Sequence, residues 1–298
     1  MTPYPYAIGL DLGGTRIKSV AIDPIGNILH QSYQPTDDGD DQVWKQSIAQ
    51  TASNIVAVLG GDPVVGISAP GLPNNENSCI AFMPGRLQGL ENFDWSTHLN
   101  RPTCVINDAV AALMAEAAFG ACRNAKNAVM LTLGTGVGGA ILIEGKAYQG
   151  AFNKAGHIGH MVIDDEGEQD VTGMPGSLEE CMGNCTIVKR SKGRFNSTHE
   201  LLEAYRQNDS EAAAIWLKSI RQLALGIASI SNILSPECVV LGGGITEAGN
   251  DLFDPLEQFL ERYEWRPGGA RTMIRKAEHG DLSGAIGAAA FALEEIKS

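Results

Sequence analysis

Two adjacent polar residues, Asn107 and Asp108, follow an apolar run and are the first candidates for chemistry. They stand in "VINDA", between residues typical of a buried strand and an alanine-rich run typical of a helix. Strand ends beside helix starts are where α/β proteins place reactive groups. Either residue could also cap the helix, but a cap needs one residue and two are present. If a substrate hydroxyl lies here, Asp108 can accept its proton, and an ionised aspartate of ordinary pKa is sufficient.

A second candidate is "DLGGTRIK" near the start of the chain, which contains Asp11, Gly13, Gly14, Thr15 and Lys18. A tight bend between two strands presents several backbone N–H groups in one arc, and glycines admit a ligand and permit unusual φ/ψ angles. Such an arc suits phosphate oxygens. The carboxylate of Asp11 would repel phosphate unless a divalent cation lies between them. An ordinary glycine-rich hairpin remains an alternative for this stretch alone.

Two later glycine-rich stretches have related patterns. "LGTGVGG" bends one apolar run into the next, and "LGGGI" ends a buried run, where it could hold an adenine or ribose or be a simple turn. A strand follows the first of them, so it is not a dinucleotide-binding fingerprint, and neither has the G-x-x-x-x-G-K-[ST] pattern of a P-loop. Their candidate nucleotide-binding residues are Gly134, Thr135, Gly136, Gly138, Gly243 and Gly244.

The elements that must position these residues form two similar series. The first half predicts three consecutive strands, a helix, two buried strands and a second helix, which indicates an α/β layered domain with a mixed sheet. Near residue 126 a strand–glycine turn–strand start occurs again, followed by a long helix that Pro236 stops and a glycine-ended strand. One further bend, "SAPGL", would let the backbone at Gly71 approach a substrate, or only carry the chain out of the sheet.

Composition excludes several classes of protein. The net charge of -13 and the pI of about 4.9 argue against nucleic acid or an anionic membrane as partner. There is no run of about 18 apolar residues, and the N-terminus has no signal-peptide pattern. The six cysteines are scattered, which favours a reduced, cytoplasmic protein. Cys181 and Cys185 could be half of a metal site but are more typical of structural thiols.

In combination and order, these motifs resemble the ROK family of sugar kinases, within the actin-like ATPase fold. The resemblance is carried by "GLDLGGTRIK", "GISAPGLP", "INDAVAALMAEAAFGA", "LTLGTGVGGAILIEGKAYQG", "GHIGHM" and "LGGGI". It implies an α/β, two-lobed (ribonuclease H-like) fold with central mixed sheets and a cleft between the lobes. We expect an N-terminal lobe over residues 1–120, completed by a C-terminal helix over 284–298, and a second lobe over 121–283.

The resemblance also implies a reaction and a set of residues. It implies ATP and Mg²⁺ as cofactors and transfer of the γ-phosphoryl group to a sugar hydroxyl, with glucose as the default substrate. Asp108 matches the family's general base, Asn107 matches the residue that holds the sugar, and Asp11 would meet the Mg²⁺ that accompanies ATP. The implied sugar-binding residues are Gly71, Asn107, Asp108, His157, His160 and Glu179.

The sequence departs from the family in two places. Most members carry a zinc motif C-x-C-G-x-x-G-C-x-E, but here Asp170, Thr172 and Ser177 stand at the three cysteine positions. These residues do not form a closed thiolate site, so we expect no zinc. The family also has a Glu-x-x-His pair, whereas this chain has His157 and His160. A neutral histidine accepts one hydrogen bond and donates one, so the hydroxyl pattern recognised at His157 is expected to differ from that of a usual glucose site.

Other functions remain as alternatives. They are a polyphosphate-dependent glucokinase, which also lacks the zinc cysteines, and a kinase for another hexose or an amino sugar. A non-catalytic sugar-sensing regulator is more remote, since Asp11, Asp108 and both glycine hairpins are present. Family members that repress transcription carry a DNA-binding domain before the first hairpin, and we expect none ahead of Asp11. A homodimer is compatible with the family, but no stretch specifies an interface.

Overall fold

The computed structural model describes residues 4–36, 41–83 and 87–296. The chain divides into two compact units. The first comprises Met1–Asn124, Gln149–Ala155 and Glu278–Ser298, and the second comprises Ala125–Tyr148 and Gly156–Ala277. Residues 297 and 298 of the predicted C-terminal helix lie outside the described part of the chain.

The helices and strands alternate along the chain as an α/β protein requires. The first segment contains β1 (Ala7–Leu12), β2 (Arg16–Ile22), β3 (Ile28–Pro35), α1 (Asp41–Leu59), β4 (Val64–Ala69), β5 (Leu72–Pro73), β6 (Ile80–Phe82), α2 (Trp95–Leu99), β7 (Thr103–Asn107) and α3 (Asp108–Phe119). There follow β8 (Ala128–Leu133), β9 (Val137–Ile143), β10 (Lys146–Ala147), α4 (Leu178–Met182), α5 (Ile187–Arg190), α6 (Thr198–Arg206), α7 (Ser210–Leu234), β11 (Cys238–Gly242), α8 (Asn250–Tyr263), β12 (Met273–Lys276) and α9 (Ser283–Glu295).

Each unit is built on a five-stranded mixed sheet with the same pattern of pairing. The first sheet has the order β3-β2-β1-β4-β7, and the second has the order β10-β9-β8-β11-β12. In both sheets the first three strands pair antiparallel, the central strand pairs in parallel with one later strand, and that strand pairs in parallel with the last one. The predicted α/β class with mixed sheets is therefore confirmed. Parallel strands end at one edge of a sheet, so the glycine-rich and polar ends of β1, β4 and β7 are brought together.

The last helix of the chain packs directly on the sheet of the first unit. A Cβ atom added at Gly66 in β4 would lie 1.9 Å from the carbonyl oxygen of Ala288, and one added at Gly9 in β1 would lie 1.8 Å from that of Ala285. On the other side of α9, a Cβ atom at Gly287 would lie 1.6 Å from the carbonyl oxygen of Ala111 in α3. These glycines are required for close approach, and they determine how near the start of α9 comes to the strand ends.

The core of the second unit is organised by α7. Its Trp216, Ile220, Leu223 and Ile227 are fully buried and pack in one cluster with the β8 and β11 side chains. Among the helices that the structure describes, α7 is long and apolar enough to cross a membrane by length and composition, yet 56% of its most apolar window is buried inside the protein. Burial to this extent is typical of a core helix, because a spanning helix presents its apolar side chains outward.

The close contact between α9 and the first sheet makes a testable prediction. Gly66→Ala places a methyl group inside the van der Waals radius of the Ala288 carbonyl. Since overpacking typically costs about 1–3 kcal/mol, we expect the free energy of unfolding to fall by about that amount, measured by denaturant unfolding. The matched control is Gly226→Ala in α7, where the nearest atom is the flexible Met161 methyl group at 3.1 Å and alanine has the higher helix propensity. Equal stability of the two variants would contradict this packing.

Candidate active site

The carboxylate of Asp11 lies at the end of β1 between its two register partners. Asp11 pairs with Lys18 in β2 and with Ser68 in β4. Neighbouring residues at one register position project to the same face of a sheet. Accordingly, the Ser68 hydroxyl donates to Asp11 Oδ1 at 2.7 Å, and Lys18 Nζ lies 3.4 Å from Asp11 Oδ2. The predicted Asp11 and Lys18 thus meet each other, and Ser68 joins them without having been predicted.

Asp11 is also close to the first turn of α9. A Cβ atom added at Gly284, the second residue of α9, would lie 2.5 Å from Asp11 Oδ1. The N-terminus of a helix carries partial positive charge, which favours a carboxylate nearby. Burial nevertheless raises the pKa of Asp11 above its ordinary value, against the opposing hydrogen bond from Ser68 and the charge of Lys18. The site therefore holds a desolvated acidic group whose position is specified from three sides.

Asn107 connects the end of β7 to the loop after β4. Its side-chain oxygen accepts hydrogen bonds from the backbone N–H groups of Ala109 at 2.9 Å and Val110 at 3.4 Å, so it is the N-cap of α3. Its Nδ2 donates to the carbonyl oxygen of Gly71 at 3.1 Å. Gly71 has a φ of +103°, which favours glycine over other residues. Because Asn107 is the cap, the adjacent Asp108 is not needed for that role.

Asp108 is the first residue of α3 and its side chain is exposed to solvent. Its Oδ1 accepts a hydrogen bond from Ala109 N–H at 2.8 Å. Protein atoms around the carboxyl group desolvate it, and together with the negative charge of Asp11 they raise its pKa to about 6. The sequence suggested only an ordinary aspartate. The structure instead gives a solvent-accessible carboxylate that is a stronger base, because the surrounding protein atoms desolvate it and a second carboxylate is nearby.

The turn between β1 and β2 has its carbonyl oxygens occupied by a neighbouring segment. Thr36 donates its hydroxyl to the Gly13 carbonyl at 2.7 Å and its backbone N–H to the Thr15 carbonyl at 3.0 Å. The N–H groups of Gly14 and Thr15 form no hydrogen bond with the described residues, and both residues are exposed. The turn therefore has free N–H groups, while the carbonyl oxygens of Gly13 and Thr15 are already hydrogen-bonded, and this suits an anion such as phosphate.

The turn between β8 and β9 has the same property through different residues. The backbone N–H groups of Asn184 and Cys185 donate to the carbonyl oxygens of Gly134 at 3.0 Å and Thr135 at 2.8 Å. The N–H groups of Thr135 and Gly136 make no hydrogen bond within the part of the chain that is described. Gly138 is not in this turn but inside β9, opposite Thr132. Both predicted hairpins thus expose amide groups at their tips.

The glycines of these turns do not use the left-handed backbone region that glycine permits. Gly13, Gly14, Gly134 and Gly136 all lack a positive φ. A Cβ atom at Gly136 would lie 2.2 Å from Glu179 Oε2, whereas one at Gly134 would meet no atom within 4 Å. A side chain at Gly134 would therefore occupy the space in front of the turn, where a ligand would approach.

The glycine run after β11 has two separate roles. Gly243 has a φ of +86°, and a Cβ atom there would lie 2.3 Å from the Leu133 carbonyl oxygen, so this residue closes the backbone against β8. Gly244 is in open space and lines a cavity of about 340 Å³. Leu202, Ile245 and Ala248 form an apolar part of the cavity wall. A cavity with apolar walls and a bare backbone edge is suited to a flat aromatic base.

The predicted sugar residues of the second unit lie on and around β9. His157 precedes a one-turn 3-10 helix, Ile158–His160, which packs on β9, since a Cβ atom at Gly159 would lie 1.8 Å from the Val137 carbonyl oxygen. Glu179, near the start of α4, accepts a hydrogen bond from Val137 N–H at 2.9 Å through Oε2. Glu179 therefore supports the β8–β9 turn, a contact that its position in the sequence does not reveal.

Four residues that the sequence reasoning did not assign support this arrangement. Ser68 binds Asp11, Thr36 and Asn184 occupy turn carbonyls, and Asp170 binds His160. Ser68 could have been found from its quoted motif, because it aligns with Asp11 once the two strands are paired. Thr36 and Asn184 have no sequence signal, since each is distant in the chain from the turn that it contacts, whereas Asp170 stands at one of the cysteine positions of the family motif.

The pKa of Asp108 depends on the charge of Asp11, which gives a testable prediction. We expect the Asp108 carboxyl carbon to titrate with a midpoint near pH 6 in a ¹³C NMR pH series, and Asp11→Asn to lower that midpoint by removing a negative charge. The control is Asp62→Asn, the same change of charge at an exposed residue ahead of β4, at the opposite end of the sheet. A midpoint that Asp11→Asn leaves unchanged would contradict the proposed coupling.

Comparison with known proteins shows where this arrangement occurs. The sequence matches the ROK family over residues 7–295. The N-acetylmannosamine kinase of Vibrio cholerae is 30% identical over 295 residues, covering 97% of this chain and 99% of the relative. The crystal structure of a ROK hexokinase from Thermus thermophilus has a TM-score of 0.88 and 27% identity, covering 98% of this chain and 99% of that one. A ROK family glucokinase from Streptomyces griseus in complex with glucose and AMPPNP has a TM-score of 0.78 and 27% identity, covering 97% and 99%. A chain that matches the family over nearly its whole length, with these strand ends and turns in the same order, belongs to the ROK family.

Proposed function

We propose that this protein is an ATP-dependent sugar kinase that transfers the γ-phosphoryl group of ATP to a hydroxyl group of a hexose. The observation that carries the proposal is Asp108, a solvent-accessible carboxylate with a raised pKa at the start of α3. The N-acetylmannosamine kinase and the glucokinase to which this chain is similar support the reaction class. The choice of a hexose, and of glucose among hexoses, is the finer part of the proposal.

Asp108 would act as the general base. It accepts the proton of the sugar hydroxyl while that oxygen forms a bond to the γ-phosphorus, and the bond from this phosphorus to the leaving ADP oxygen breaks. A base with a pKa near 6 is ionised at neutral pH and accepts a proton more readily than an ordinary aspartate does. Asn107 is fixed by its hydrogen bonds to Gly71 and to the first amides of α3. It would hold the sugar so that the reacting hydroxyl lies beside Asp108.

The two turns would hold the phosphates. Because their carbonyl oxygens are occupied by Thr36 in the first unit and by Asn184 and Cys185 in the second, their free N–H groups form donor-only surfaces. In phosphoryl transfer, catalysis is largely positioning and charge neutralisation. Such rigid donors supply both without moving during the reaction.

Asp11 fits the Mg²⁺ that accompanies ATP. Magnesium is bound in such enzymes by one or two carboxylates together with substrate phosphates and water. The described residues hold no group of three or more acidic, histidine or cysteine side chains that could bind a metal alone, so the ion would enter with the nucleotide. When bound, Mg²⁺ neutralises charge on the phosphates. Asp11, held by Ser68 and Lys18, would orient it.

The cavity beside Gly244 favours ATP over polyphosphate as the donor. Its wall includes Leu202, Ile245 and Ala248, which would bury the faces of an adenine ring, whereas a chain of phosphates could use only the polar part of the wall that contains Arg206. On the sugar side, His157, His160 and Glu179 remain the proposed contacts. With His157 at the position of the family's glutamate, an epimer of glucose or an amino sugar is the alternative substrate.

The experiment that tests this proposal is an ADP-release assay with Mg²⁺ and a panel of hexoses and amino sugars, with ATP or polyphosphate as donor. We expect sugar-dependent turnover with ATP. Asp108→Asn should lower kcat by orders of magnitude, about 10²–10⁴-fold, with a smaller change in KM, because the base acts only in the transition state. Asp62→Asn, which makes the same substitution away from the site, should leave both constants unchanged.

Three outcomes would refute the proposal. One is no turnover with any sugar. Another is turnover with polyphosphate but not with ATP. The third is ATP hydrolysis at a comparable rate without sugar, which would mean that water competes freely for the γ-phosphoryl group.

The pH dependence follows from the sign of the Asp108 shift. The base must be ionised to act, and its pKa is raised to about 6. We therefore expect kcat/KM to be constant above neutral pH and to fall tenfold per pH unit well below pH 6, since one protonation abolishes activity. An ordinary aspartate would move that fall to near pH 4. A profile that is flat down to pH 5 would contradict the assignment.

A further inference from the structure

A buried carboxylate, Asp170, lies against the predicted sugar residue His160. Asp170 Oδ2 is 2.8 Å from His160 Nδ1, and only 1% of the Asp170 side chain is exposed. Asp170 Oδ1 accepts hydrogen bonds from the Thr172 backbone N–H at 2.8 Å, the Thr172 hydroxyl at 2.7 Å and the Met174 N–H at 3.1 Å. The aspartate is therefore the centre of a closed network that ends on the imidazole ring.

These residues occupy the positions of the family's zinc motif, but they do not fit zinc. Asp170, Thr172 and Ser177 stand where three cysteines would be, and hydroxyl groups do not replace thiolates in a structural site. Thr172 donates its proton to Asp170, and both carboxylate oxygens already accept hydrogen bonds. A zinc ion would have to displace every one of these donors.

Backbone hydrogen bonds hold the network in place. Asp170 N–H donates to the Met174 carbonyl at 2.9 Å, which closes the loop around the carboxylate. Ile163 N–H donates to Gly176 at 2.9 Å, and Leu178 N–H donates to Met161 at 2.9 Å, which joins the loop to the segment after His160. The same segment leads into α4 and Glu179. The loop is therefore ordered by its own hydrogen bonds, without a metal.

The location of the protons follows from the charge of Asp170. Burial raises the pKa of this carboxyl, but hydrogen bonds from Thr172, His160 and Ser177 outweigh burial and hold the pKa well below its usual range. An ionised carboxylate can only accept, so His160 Nδ1 must carry a hydrogen. In a neutral imidazole the other nitrogen, Nε2, then has a free lone pair. A metal on Nδ1 would impose the opposite arrangement, with the hydrogen on Nε2.

We propose that Asp170 is a positioning residue that takes the place of zinc and holds His160 in the Nδ1–H tautomer, so that Nε2 accepts a hydrogen bond from a sugar hydroxyl. This inference rests on the proposed function. The His160 side chain is 30% exposed, and Nε2 has no hydrogen-bond partner among the described residues. A zinc-bound histidine would donate to the sugar at this point, whereas His160 accepts from it.

The primary test is the tautomer of His160 in the wild-type protein without sugar or nucleotide. Long-range ¹H–¹⁵N correlation spectra of ¹⁵N-histidine-labelled protein at pH 8 distinguish the two tautomers and the doubly protonated ring. The His160→Gln spectrum identifies the signals by their loss. We expect a protonated Nδ1 and an unprotonated Nε2. A protonated Nε2, in either the other tautomer or the imidazolium form, would overturn the proposal.

Asp170→Asn tests the consequence for the sugar. An amide among three donors cannot accept as the carboxylate does, so we expect both His160 tautomers in the spectrum and a rise of about tenfold or more in the sugar KM, since lost supporting contacts typically cost that much, with a smaller change in kcat. Glu166→Gln, an exposed carboxylate of the same loop, should change neither. An unchanged sugar KM in Asp170→Asn would overturn the positioning role.

Metal analysis gives a third measurement that requires no variant. After expression with added zinc and extensive dialysis, we expect far less than one zinc ion per chain. One retained zinc ion per chain would overturn the proposal that Asp170 takes the place of zinc. The spectrum and the metal content are measured without substrates. If no sugar is phosphorylated, the spectrum and the metal content still test the role of Asp170. If the tautomer prediction is wrong, the kinase assay still tests the proposed function.

Discussion

The first unit depends on placing a carboxylate where solvent is largely excluded. Asp11 is stabilised there by a hydroxyl in one neighbouring strand, an ammonium group in the other and the first turn of α9. The contact with α9 requires this helix to lie within van der Waals distance of the sheet, which glycine at Gly9 and Gly66 permits. The charge of Asp11 in turn raises the pKa of Asp108. Desolvation of Asp108 and the charge of Asp11 together set the strength of the proposed base.

In both units a turn between two strands exposes N–H groups that suit an anion, but different residues bond to the carbonyl oxygens of each turn. A strand–turn–strand unit has N–H and C=O groups at its tip, and a phosphate is attracted by the first and repelled by the second. In each unit a separate segment occupies the carbonyl oxygens, through Thr36 in one and Asn184 and Cys185 in the other. Glu179 adds a bond to the backbone just after the second turn. What the units share is a chemical requirement, and the residues that meet it differ.

The second unit also has an aspartate-centred network at the positions of the family's zinc motif. Where the family's cysteines would surround an ion, one ionised aspartate accepts from a histidine, a hydroxyl and two backbone amides. A dication and a carboxylate both organise a loop by strong local electrostatics, but they attract opposite partners. Under the proposal above, this exchange reverses the role of the exposed nitrogen of His160.

The sequence alone determined the alternation of strands and helices and the mixed character of the sheets, because periodicity and glycine bends act over a few neighbouring positions. It offered Asn107 and Asp108 as candidates for the cap without choosing between them, and it proposed the site residues through motifs and the family resemblance. It did not determine that Glu179 bonds to the β8–β9 backbone, that Ser68 and Lys18 both contact Asp11, or that Asp170 faces His160. Nor did it show that Gly136 in the second turn makes room for Glu179 without needing a positive φ. Those features join residues that are distant in the chain. Their energies depend on distance, burial and neighbouring charge, which exist only once the sheets and helices have packed.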